Sequence, residues 1–414
     1  MRHLRVLVVD DSAYNRRTIT ELLTALPAVE VIGKAGDGDE ALRMVADLQP
    51  DLITLDLEMP RMDGFTFLRL MMARRPTPVI VVSGYSAKEN VFRALEMGAL
   101  DFVAKPTRTV TSDLSGISAE LAEKVEVVRQ LSPAGLDMGR LRGSGEFSTA
   151  PRRSGVSDRE PSRLIVIGSS TGGPTALVEV FRRLPPSTTA SVVVAQHMPE
   201  RFTKTFAERL DKTGGMRVVE ASDVHALTAG TAFICPGGRC IEIVQLQRGL
   251  GVKVVQPDSA DRYVPSVDRL FESAARVFGA STVGVVLTGM GDDGAKGVVA
   301  LRDSGGIVMA ESPETAVIYC MPGAARIRTA TISGRPRSPA RPRPTACRAP
   351  RCARAPSIAA SPCAPWPSAW QNSPARERVH PSNDAQTSDS LATPTMSDPD
   401  SNRASDLPMD LIKE

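Results

Sequence analysis

The chain lacks long apolar runs, and it lacks the clustered cysteines and histidines that mark a metal site. No apolar segment approaches the ~20 residues that cross a bilayer, and the N-terminus MRHLRVLVVDD has no signal-peptide pattern. The 6 cysteines show no metal-ligand spacing, and only 4 histidines accompany them. These absences favour a reduced, cytoplasmic protein with no membrane insertion.

Acidic residues and lysine are missing from long parts of the C-terminal region, although the net charge of the whole chain is only +3. Residues 326–376 contain neither Asp nor Glu, and no lysine occurs between Lys296 and Lys413. Arg, Pro, Ala and Ser dominate the first part of this region, and residues 379–414 are polar and acidic. Such a composition cannot bury an apolar core, so we predict a disordered tail over 326–414.

The first 131 residues alternate strand-like runs with segments of helical periodicity. The strand-like runs are LRVLVVD, EVIGKAG, LITLDLE, PVIVVSG and DFVAKP. This alternation predicts a domain over 1–131 with a doubly wound, parallel five-stranded sheet and helices on both faces. Residues 132–161 are rich in Gly, Ser, Pro and charge, and we interpret them as a flexible linker.

A second alternating series fills residues 162–325 and predicts another α/β domain. Its strand-like runs include LIVIGSS, SVVVAQH, RVVEA, TVGVVLTG and GIVMAE. We interpret TAFICPGG and CIEIVQLQRGLGVKVVQP as a β-hairpin insertion rather than a crossover unit. The sequence therefore predicts a Rossmann-like α/β domain that carries a hairpin.

Five polar residues of the first domain stand at the ends of predicted strands: Asp10, Asp11, Asp56, Ser83 and Lys105. Because the carboxyl ends of parallel strands meet at one edge of a sheet, we expect these side chains to converge. Three carboxylates in one pocket repel each other unless a cation neutralises them, and Mg²⁺ suits such oxygen ligands. Asp56 can then act as the nucleophile that forms an acyl phosphate.

This set resembles the receiver domains of two-component response regulators, which have a flavodoxin-like fold, and the closest motifs are LDLEMPRMDG and FVAKP. The resemblance implies phosphotransfer from a histidine kinase to Asp56, with Asp10 and Asp11 on Mg²⁺. It also implies three residues that respond to phosphorylation: Ser83, Phe102 and Lys105.

The stretch LIVIGSSTGGPTAL in the second domain could hold a phosphate or present a nucleophile. A Walker loop would need a lysine where Pro174 stands, and a dinucleotide fingerprint would need glycine where Ser170 stands. Residues 168–172 instead match G-x-S-x-G, the pattern that exposes a serine hydroxyl on a tight turn between strand and helix. We therefore expect Ser170 to be a nucleophile.

A nucleophilic serine needs a base and an acid that orients the base. His197 ends the neighbouring strand-like run, and Asp293 follows another in LTGMGDDG. We favour these two residues over a rival set in which His225 is paired with one of two acids, Asp211 or Asp223. We disfavour the rival because neither acid nor His225 ends a clear apolar strand.

The second domain resembles the catalytic domain of the chemotaxis protein-glutamate methylesterases (CheB). The motifs that carry the resemblance are IGSSTGGP, VVAQHMPERFT, ICPGG, YVPSVDRLFESAA and LTGMGDDGAKG. With the receiver motifs, the resemblance covers residues 1–325. It implies a phosphorylation-activated hydrolase that removes methyl esters from glutamates of methyl-accepting chemotaxis receptors, and also deamidation of receptor glutamines. No cofactor is implied for the ester hydrolysis itself.

The resemblance implies Ser170 as the nucleophile, His197 as the general base and Asp293 as the orienting acid. It places Thr171 and the backbone N–H of Met290 at the remaining supporting positions of the active site, with the Met290 N–H in the oxyanion hole. We also hypothesise that the unphosphorylated receiver packs over the Ser170 cleft until phosphorylation releases it. The alternative class is a response regulator whose output domain only binds; a DNA-binding helix-turn-helix is not indicated by the βα alternation.

The tail departs from the family, which would continue after MPGAA with a short strand and a closing helix. We hypothesise a reading-frame shift near residues 324–327, because Arg/Pro/Ala-rich sequence is typical of GC-rich DNA translated out of phase. We favour this origin over a basic arm for nucleic acid or a membrane surface, so no nucleic-acid partner is expected.

Overall fold

The computed structural model of the chain describes residues 3–84, 88–105, 113–131, 159–185 and 188–330. Residues 132–158 of the predicted linker at 132–161 and residues 331–414 of the predicted tail at 326–414 lie outside the described residues. No described helix is long and apolar enough to cross a membrane. We call residues 3–131 the N-terminal lobe and residues 159–330 the C-terminal lobe; both belong to one compact unit.

The N-terminal lobe has a parallel sheet of five strands in the order β2-β1-β3-β4-β5. The strands are β1 Leu4–Val9, β2 Val29–Ala35, β3 Leu52–Leu55, β4 Val79–Ser83 and β5 Asp101–Ala104. The helices are α1 Ala13–Thr24, α2 Gly38–Leu48, α3 Gly64–Arg74, α4 Lys88–Glu96 and α5 Asp113–Arg129. The doubly wound parallel fold predicted from the alternating pattern is confirmed.

Local sequence explains where these helices begin. Ser12, Asp37 and Asp63 each accept a hydrogen bond from a backbone N–H three residues later, at the starts of α1, α2 and α3. The central strands are almost continuous apolar runs because helices cover both faces of the sheet. The polar residues that end the strands therefore collect at one edge.

The C-terminal lobe has a parallel sheet of six strands and a separate sheet of three. Its strands are β6 Arg163–Ser169, β7 Ala190–Gln196, β8 Arg217–Glu220, β9 Val224–Ala226, β10 Thr231–Ile234, β11 Cys240–Gln245, β12 Leu250–Val255, β13 Thr282–Val286 and β14 Ile307–Ala310. Its helices are α6 Gly173–Arg183, α7 Glu200–Thr213, α8 Val267–Val277, α9 Gly297–Asp303 and α10 Cys320–Ala330. The large sheet has the order β14-β13-β6-β7-β10-β8.

The interpretation of TAFICPGG as part of a hairpin insertion is wrong. Its strand, β10, pairs in parallel with β7 and β8 inside the large sheet. Only β11 and β12 form the antiparallel hairpin, and β9 extends that hairpin to three strands. All four residues of β10 are buried, as expected for a parallel strand covered on both faces. A short apolar run next to a hairpin carries no signal for its own pairing direction.

The last described helix, α10, extends past residue 325, where the predicted C-terminal domain ends. Met321 and Ala325 lie in the core between the sheet and the helices, whereas Ile327 is 67% exposed. The apolar residues of α10 are therefore buried in its first part, whereas Ile327 near its end is exposed. The hypothesis of a frameshift near 324–327 stays a prediction.

Candidate active site and phosphoacceptor site

Ser170 lies on the tight turn between β6 and α6, as the G-x-S-x-G pattern predicts. Its backbone N–H donates to Thr288 O at 3.0 Å, and its carbonyl accepts from Gly173 N at 2.8 Å. Gly172 has φ +79°, a conformation that favours glycine. The turn therefore holds Ser170 at the edge of the sheet and at the start of a helix.

Gln196 ties this turn to the next strand, a role that the sequence analysis missed. Its side-chain amide donates to Ser170 O at 2.9 Å and to His197 O at 2.9 Å. Its Oε1 accepts from Ser169 Oγ at 2.7 Å. A polar residue as the last member of the buried run SVVVAQ was the available signal, because a buried amide needs partners.

His197 and Asp293 are in direct contact. His197 Nε2 and Asp293 Oδ2 lie 2.9 Å apart, and Asp293 is buried. The carboxylate also accepts from Val267 N at 2.8 Å and Asp268 N at 2.9 Å, both in the first turn of α8. A helix N-terminus favours negative charge, so α8 and the imidazole together fix this carboxylate in place.

Asp268 caps the start of α9 in the same way that Asp293 caps the start of α8. Its Oδ1 accepts from Lys296 N at 2.9 Å and from Gly297 N at 2.8 Å, where α9 begins. Burial first, and then the nearby Asp293, raise the pKa of Asp268 to about 6. The two carboxylates thus cap two helix starts beside the histidine.

Ser170 and His197 stand next to each other at the ends of paired strands. Ser169 pairs with Gln196 in the β6–β7 register, and His197 N donates to Ser169 O at 3.0 Å. The hydroxyl Oγ of Ser170 is buried and has no hydrogen-bond partner among the described residues. Catalytic hydrogen bonds are often long before substrate binds, so this geometry is compatible with a nucleophile and its base.

The rival set is placed elsewhere. His225 lies on β9 in the three-stranded sheet, and its Nε2 contacts Ser222 Oγ at 3.0 Å and Ser222 N at 3.1 Å. Asp211 Oδ1 accepts from Val218 N at 2.8 Å. The histidine that contacts a buried carboxylate at the edge of the large sheet is His197.

One predicted supporting residue follows the nucleophile in the chain, and the other lies in a loop that packs against it. Thr171 follows Ser170, is buried, and accepts through its carbonyl from Thr288 Oγ1 at 3.0 Å. Met290 is partly buried in the loop after β13. Gly289 precedes Met290 and lies close to Ser170, because a methyl group placed on Gly289 would lie 2.8 Å from Ser170 Cβ. The loop therefore packs directly against the serine.

The carboxylates of the N-terminal lobe converge as predicted. Asp10, Asp11 and Asp56 offer oxygens that lie within 4.8 Å of one another. Lys105 Nζ lies 2.5 Å from Asp56 Oδ2 and 3.2 Å from Asp10 Oδ2. Carboxylate oxygens at this spacing, two of the three groups being buried, are a donor set that fits Mg²⁺.

The charged groups of this pocket shift the pKa values of Asp56 and Lys105. Burial raises the pKa of Asp56 to about 6, and Lys105 offsets part of that rise. Burial would lower the pKa of Lys105, but Asp56 and Asp10 outweigh it and raise the pKa. Ser83 is buried at the end of β4, where its Oγ donates to Gly84 O at 3.4 Å.

The two lobes meet through an aromatic contact that includes the predicted residue Phe102. Its ring centroid lies 4.5 Å from that of Phe202 on α7. Phe92 on α4 stacks against Phe206, one turn further along α7, at 5.4 Å. Buried apolar side chains from both lobes form one continuous cluster, so the contact face is a packed core.

A buried lysine of the N-terminal lobe reaches the turn that carries the serine. Lys124 on α5 donates from Nζ to Thr171 Oγ1 at 3.3 Å and lies 2.7 Å from Asp101 Oδ2. Burial would lower the pKa of Lys124, but Asp101, Glu123 and Glu120 outweigh it and raise the pKa. The hydroxyl of Thr171, the residue after Ser170, is therefore hydrogen-bonded to the ammonium group of Lys124 in the other lobe.

Two family models match the chain. Residues 165–334 match the model described as CheB methylesterase, and residues 6–112 match that described as response regulator receiver domain. The chain is 48% identical over 338 residues to protein-glutamate methylesterase/protein-glutamine glutaminase 3 of Geobacter sulfurreducens, covering 78% of this chain and 91% of the relative. It is 45% identical over 322 residues to the corresponding protein 1 of Myxococcus xanthus, covering 78% and 90%.

Among solved structures, the chain is similar to the CheB methylesterase catalytic domain of Thermotoga maritima. The identity is 38%, the match covers 40% of this chain and 88% of that chain, and the TM-score is 0.39.

Proposed function

The chain belongs to the protein-glutamate methylesterase/protein-glutamine glutaminase family and carries a receiver domain, and from this we propose its substrate, mechanism and control. The substrates are γ-glutamyl methyl esters of methyl-accepting chemotaxis receptors. A chemotaxis histidine kinase supplies the phosphoryl group. The observation that carries the mechanism is the contact of His197 with the buried Asp293 beside the Ser170 turn.

The reaction is an acyl transfer in two stages. Ser170 Oγ attacks the ester carbonyl while His197 takes its proton; methanol leaves with that proton, and water then hydrolyses the acyl-enzyme. Since Nε2 of His197 contacts Asp293, Nδ1 is the nitrogen that receives the proton. The backbone N–H of Met290 and the positive end of the α6 helix dipole support the oxyanion. Deamidation of glutamine follows the same course with ammonia as the leaving group.

Methanol release from methylated receptors tests this mechanism. Ser170→Ala and His197→Ala should each lower the rate by at least about a thousandfold, as expected for members of one catalytic unit. Ser222→Ala and His225→Ala are matched controls, because the His225 imidazole contacts the Ser222 hydroxyl at 3.0 Å and His225 belongs to the three-stranded sheet. Loss of activity in His225→Ala with retention in His197→Ala would overturn the assignment.

Control by phosphorylation involves the carboxylate pocket. Asp10, Asp11 and Asp56 would hold Mg²⁺, which supplies charge neutralisation for the transfer of a phosphoryl group to Asp56. Lys105 pairs with the added charge, and Ser83 is the hydroxyl available to bond the phosphoryl oxygens. Phe102 connects this pocket with the lobe interface, since it lies on β5 and contacts Phe202 of α7.

In this proposal, docking of the N-terminal lobe inhibits the esterase. Ser170 and Thr171 are each only 1% exposed, and Lys124 contacts Thr171 from the N-terminal lobe. The Arg209–Glu96 ion pair joins the lobes at the same face. We therefore assign to phosphorylation the separation of the lobes, which opens the cleft to a receptor.

A small phosphodonor with Mg²⁺ tests this control. The wild-type chain should release methanol faster with the donor than without it, and Asp56→Asn should show only the unstimulated rate. Asp51→Asn, which changes a partly buried aspartate at the start of β3, is the matched control. Equal stimulation of Asp56→Asn and wild type would contradict the assignment. If wild type and Ser170→Ala were equally inactive, the alternative of an output domain that only binds would be favoured.

A further inference from the structure

The imidazole of His197 contacts two side chains, one at its edge and one on its face. Asp293 contacts the edge through Nε2, and the ring of Tyr263 lies over the face. The two ring centroids are 5.4 Å apart and the planes differ by only 9°, which is an offset-stacked arrangement. Tyr263 belongs to the segment just before α8, whose first turn caps Asp293.

Tyr263 is itself fastened to the loop that carries Asp293. Its hydroxyl donates to Asp292 Oδ1 at 3.1 Å, and Arg262 Nη1 donates to the same oxygen at 3.2 Å. Burial first, and then Asp292, raise the pKa of Tyr263, so the hydroxyl stays protonated and able to donate. The phenol thus bonds to the residue immediately before the acid.

Gly291 leaves the space that this contact needs. It has φ +88°, and a methyl group placed on it would lie 2.6 Å from the hydroxyl of Tyr263. The stacked ring, the hydroxyl bond to Asp292 and the glycine beneath the hydroxyl are three separate features of one arrangement.

We propose that Tyr263 is the positioning residue of the general base: its ring fixes the plane of the His197 imidazole and stabilises the imidazolium that forms when Ser170 gives up its proton. This inference rests on the proposed function. An aromatic face attracts a cation, and the imidazole becomes one only as the reaction proceeds. The stacked ring also prevents the imidazole from turning, so Nε2 stays on Asp293 while Nδ1 remains for the serine.

The expected consequence is a change in kcat without a change in KM, because the ring acts on the base and not on the receptor. Tyr263→Leu removes the ring and should lower kcat by about 3- to 30-fold, the range expected for losing one cation–π contact and its positioning effect. Tyr263→Phe keeps the ring and loses only the bond to Asp292, so it should retain most of the activity. Asp292→Asn, which weakens the same bond from the other side, should resemble Tyr263→Phe.

The test uses the full chain activated by a small phosphodonor and Mg²⁺, with two readouts. Methanol release gives kcat and KM, and the labelling rate of Ser170 by a fluorophosphonate reports activation of the serine without a receptor. Both kcat and the labelling rate should fall in Tyr263→Leu and recover in Tyr263→Phe. If the thermal unfolding temperature of Tyr263→Leu falls well below that of wild type, Tyr263→Met, which keeps more of the volume, takes its place.

An unchanged kcat and labelling rate in the folded non-aromatic variant would overturn the inference while leaving the esterase function intact. A rise in KM alone would also overturn it, because it would make Tyr263 a receptor contact. A wild-type chain that neither releases methanol nor reacts with the fluorophosphonate would overturn the proposed function, and the inference with it.

Discussion

Lys124 provides the sharpest test of inhibition by the N-terminal lobe, because this charged side chain is buried against the turn of the nucleophile. Its side chain is only 9% exposed, and Nζ lies between Asp101 Oδ2 at 2.7 Å and Thr171 Oγ1 at 3.3 Å. The bond to Thr171 exists only while the lobes are docked, whereas Lys124 and Asp101 belong to the same lobe.

The choice of variant follows from the burial of both partners. Lys124→Met alone leaves the carboxylate of Asp101 buried without its cation, which costs about 3–5 kcal/mol of folding stability. The double variant Lys124→Met/Asp101→Asn removes both members of this ion pair together, so Asp101 is not left as an unpaired buried charge. Asp101 Oδ1 accepts from the N–H of Phe102, and an asparagine oxygen can accept the same bond.

The size of the effect follows from the one hydrogen bond that docking adds to Lys124. A hydrogen bond to a charged group contributes about 1.5–3 kcal/mol, and each 1.4 kcal/mol is about tenfold in an equilibrium constant. The separation of 3.3 Å is long for such a bond, so the lower end applies. We therefore expect the double variant to weaken docking about tenfold.

The assay is methanol release from methylated receptors without a phosphodonor. The basal rate of the double variant should rise about tenfold, up to the rate of the phosphorylated wild type as a ceiling. The rate with phosphodonor should stay unchanged, because the lobes are then already apart. Glu30→Gln, an exposed change on β2 of the same lobe, is the control. A basal rate equal to that of wild type, at an equal unfolding temperature, would refute the reasoning.

Two further predictions concern the neighbourhood of these contacts. Burial raises the pKa of Glu120 to about 7, although Lys124 offsets part of that rise. The folded chain therefore favours the protonated form of Glu120, and the stability that this form contributes is lost as the pH rises from about 4.5 to about 7. In thermal melts, the unfolding temperature of Glu120→Gln should therefore fall less between pH 5 and pH 8 than that of wild type. An identical pH dependence of the two proteins would contradict the prediction. Gly173→Ala places a methyl group 2.1 Å from Gln196 Oε1 and should displace the amide that holds the Ser170 turn. We expect kcat to fall by about 10- to 100-fold, with Gly36→Ala, whose methyl group meets nothing closer than 3.6 Å, as the control; an unchanged kcat would contradict this.

Residues at strand ends could be predicted from the sequence because the parallel sheet determines where they meet. Asp10, Asp56 and Lys105 each follow a buried apolar run, and the structure brings them within ion-pair distance. The same argument applies to Ser170 and His197, whose strands β6 and β7 pair in register. Periodicity identifies the strands, and chain direction then supplies the shared edge.

Residues whose partners come from a loop or from the other lobe could not be predicted in this way. Lys124 reads as a surface lysine on α5, whereas in the structure it is buried and contacts Thr171 of the other lobe. Tyr263 precedes α8 in an irregular segment, and its place over His197 depends on the course of that segment. The parallel pairing of β10 depends on which neighbour remains open in the sheet, and local sequence does not encode that.

The contact between α10 and the active-site loop has a consequence for the order of synthesis. Gly289 N donates to Ile318 O at 3.1 Å, and Met321 N donates to Gly289 O at 3.0 Å, so the start of α10 holds the loop that packs on Ser170. Chains fold from the N-terminus as they leave the ribosome. Nucleophile, base and acid all emerge before this clamp, and a nascent chain therefore carries every reacting group before it can arrange them. Esterase activity should begin only when the segment around Met321 has left the ribosome.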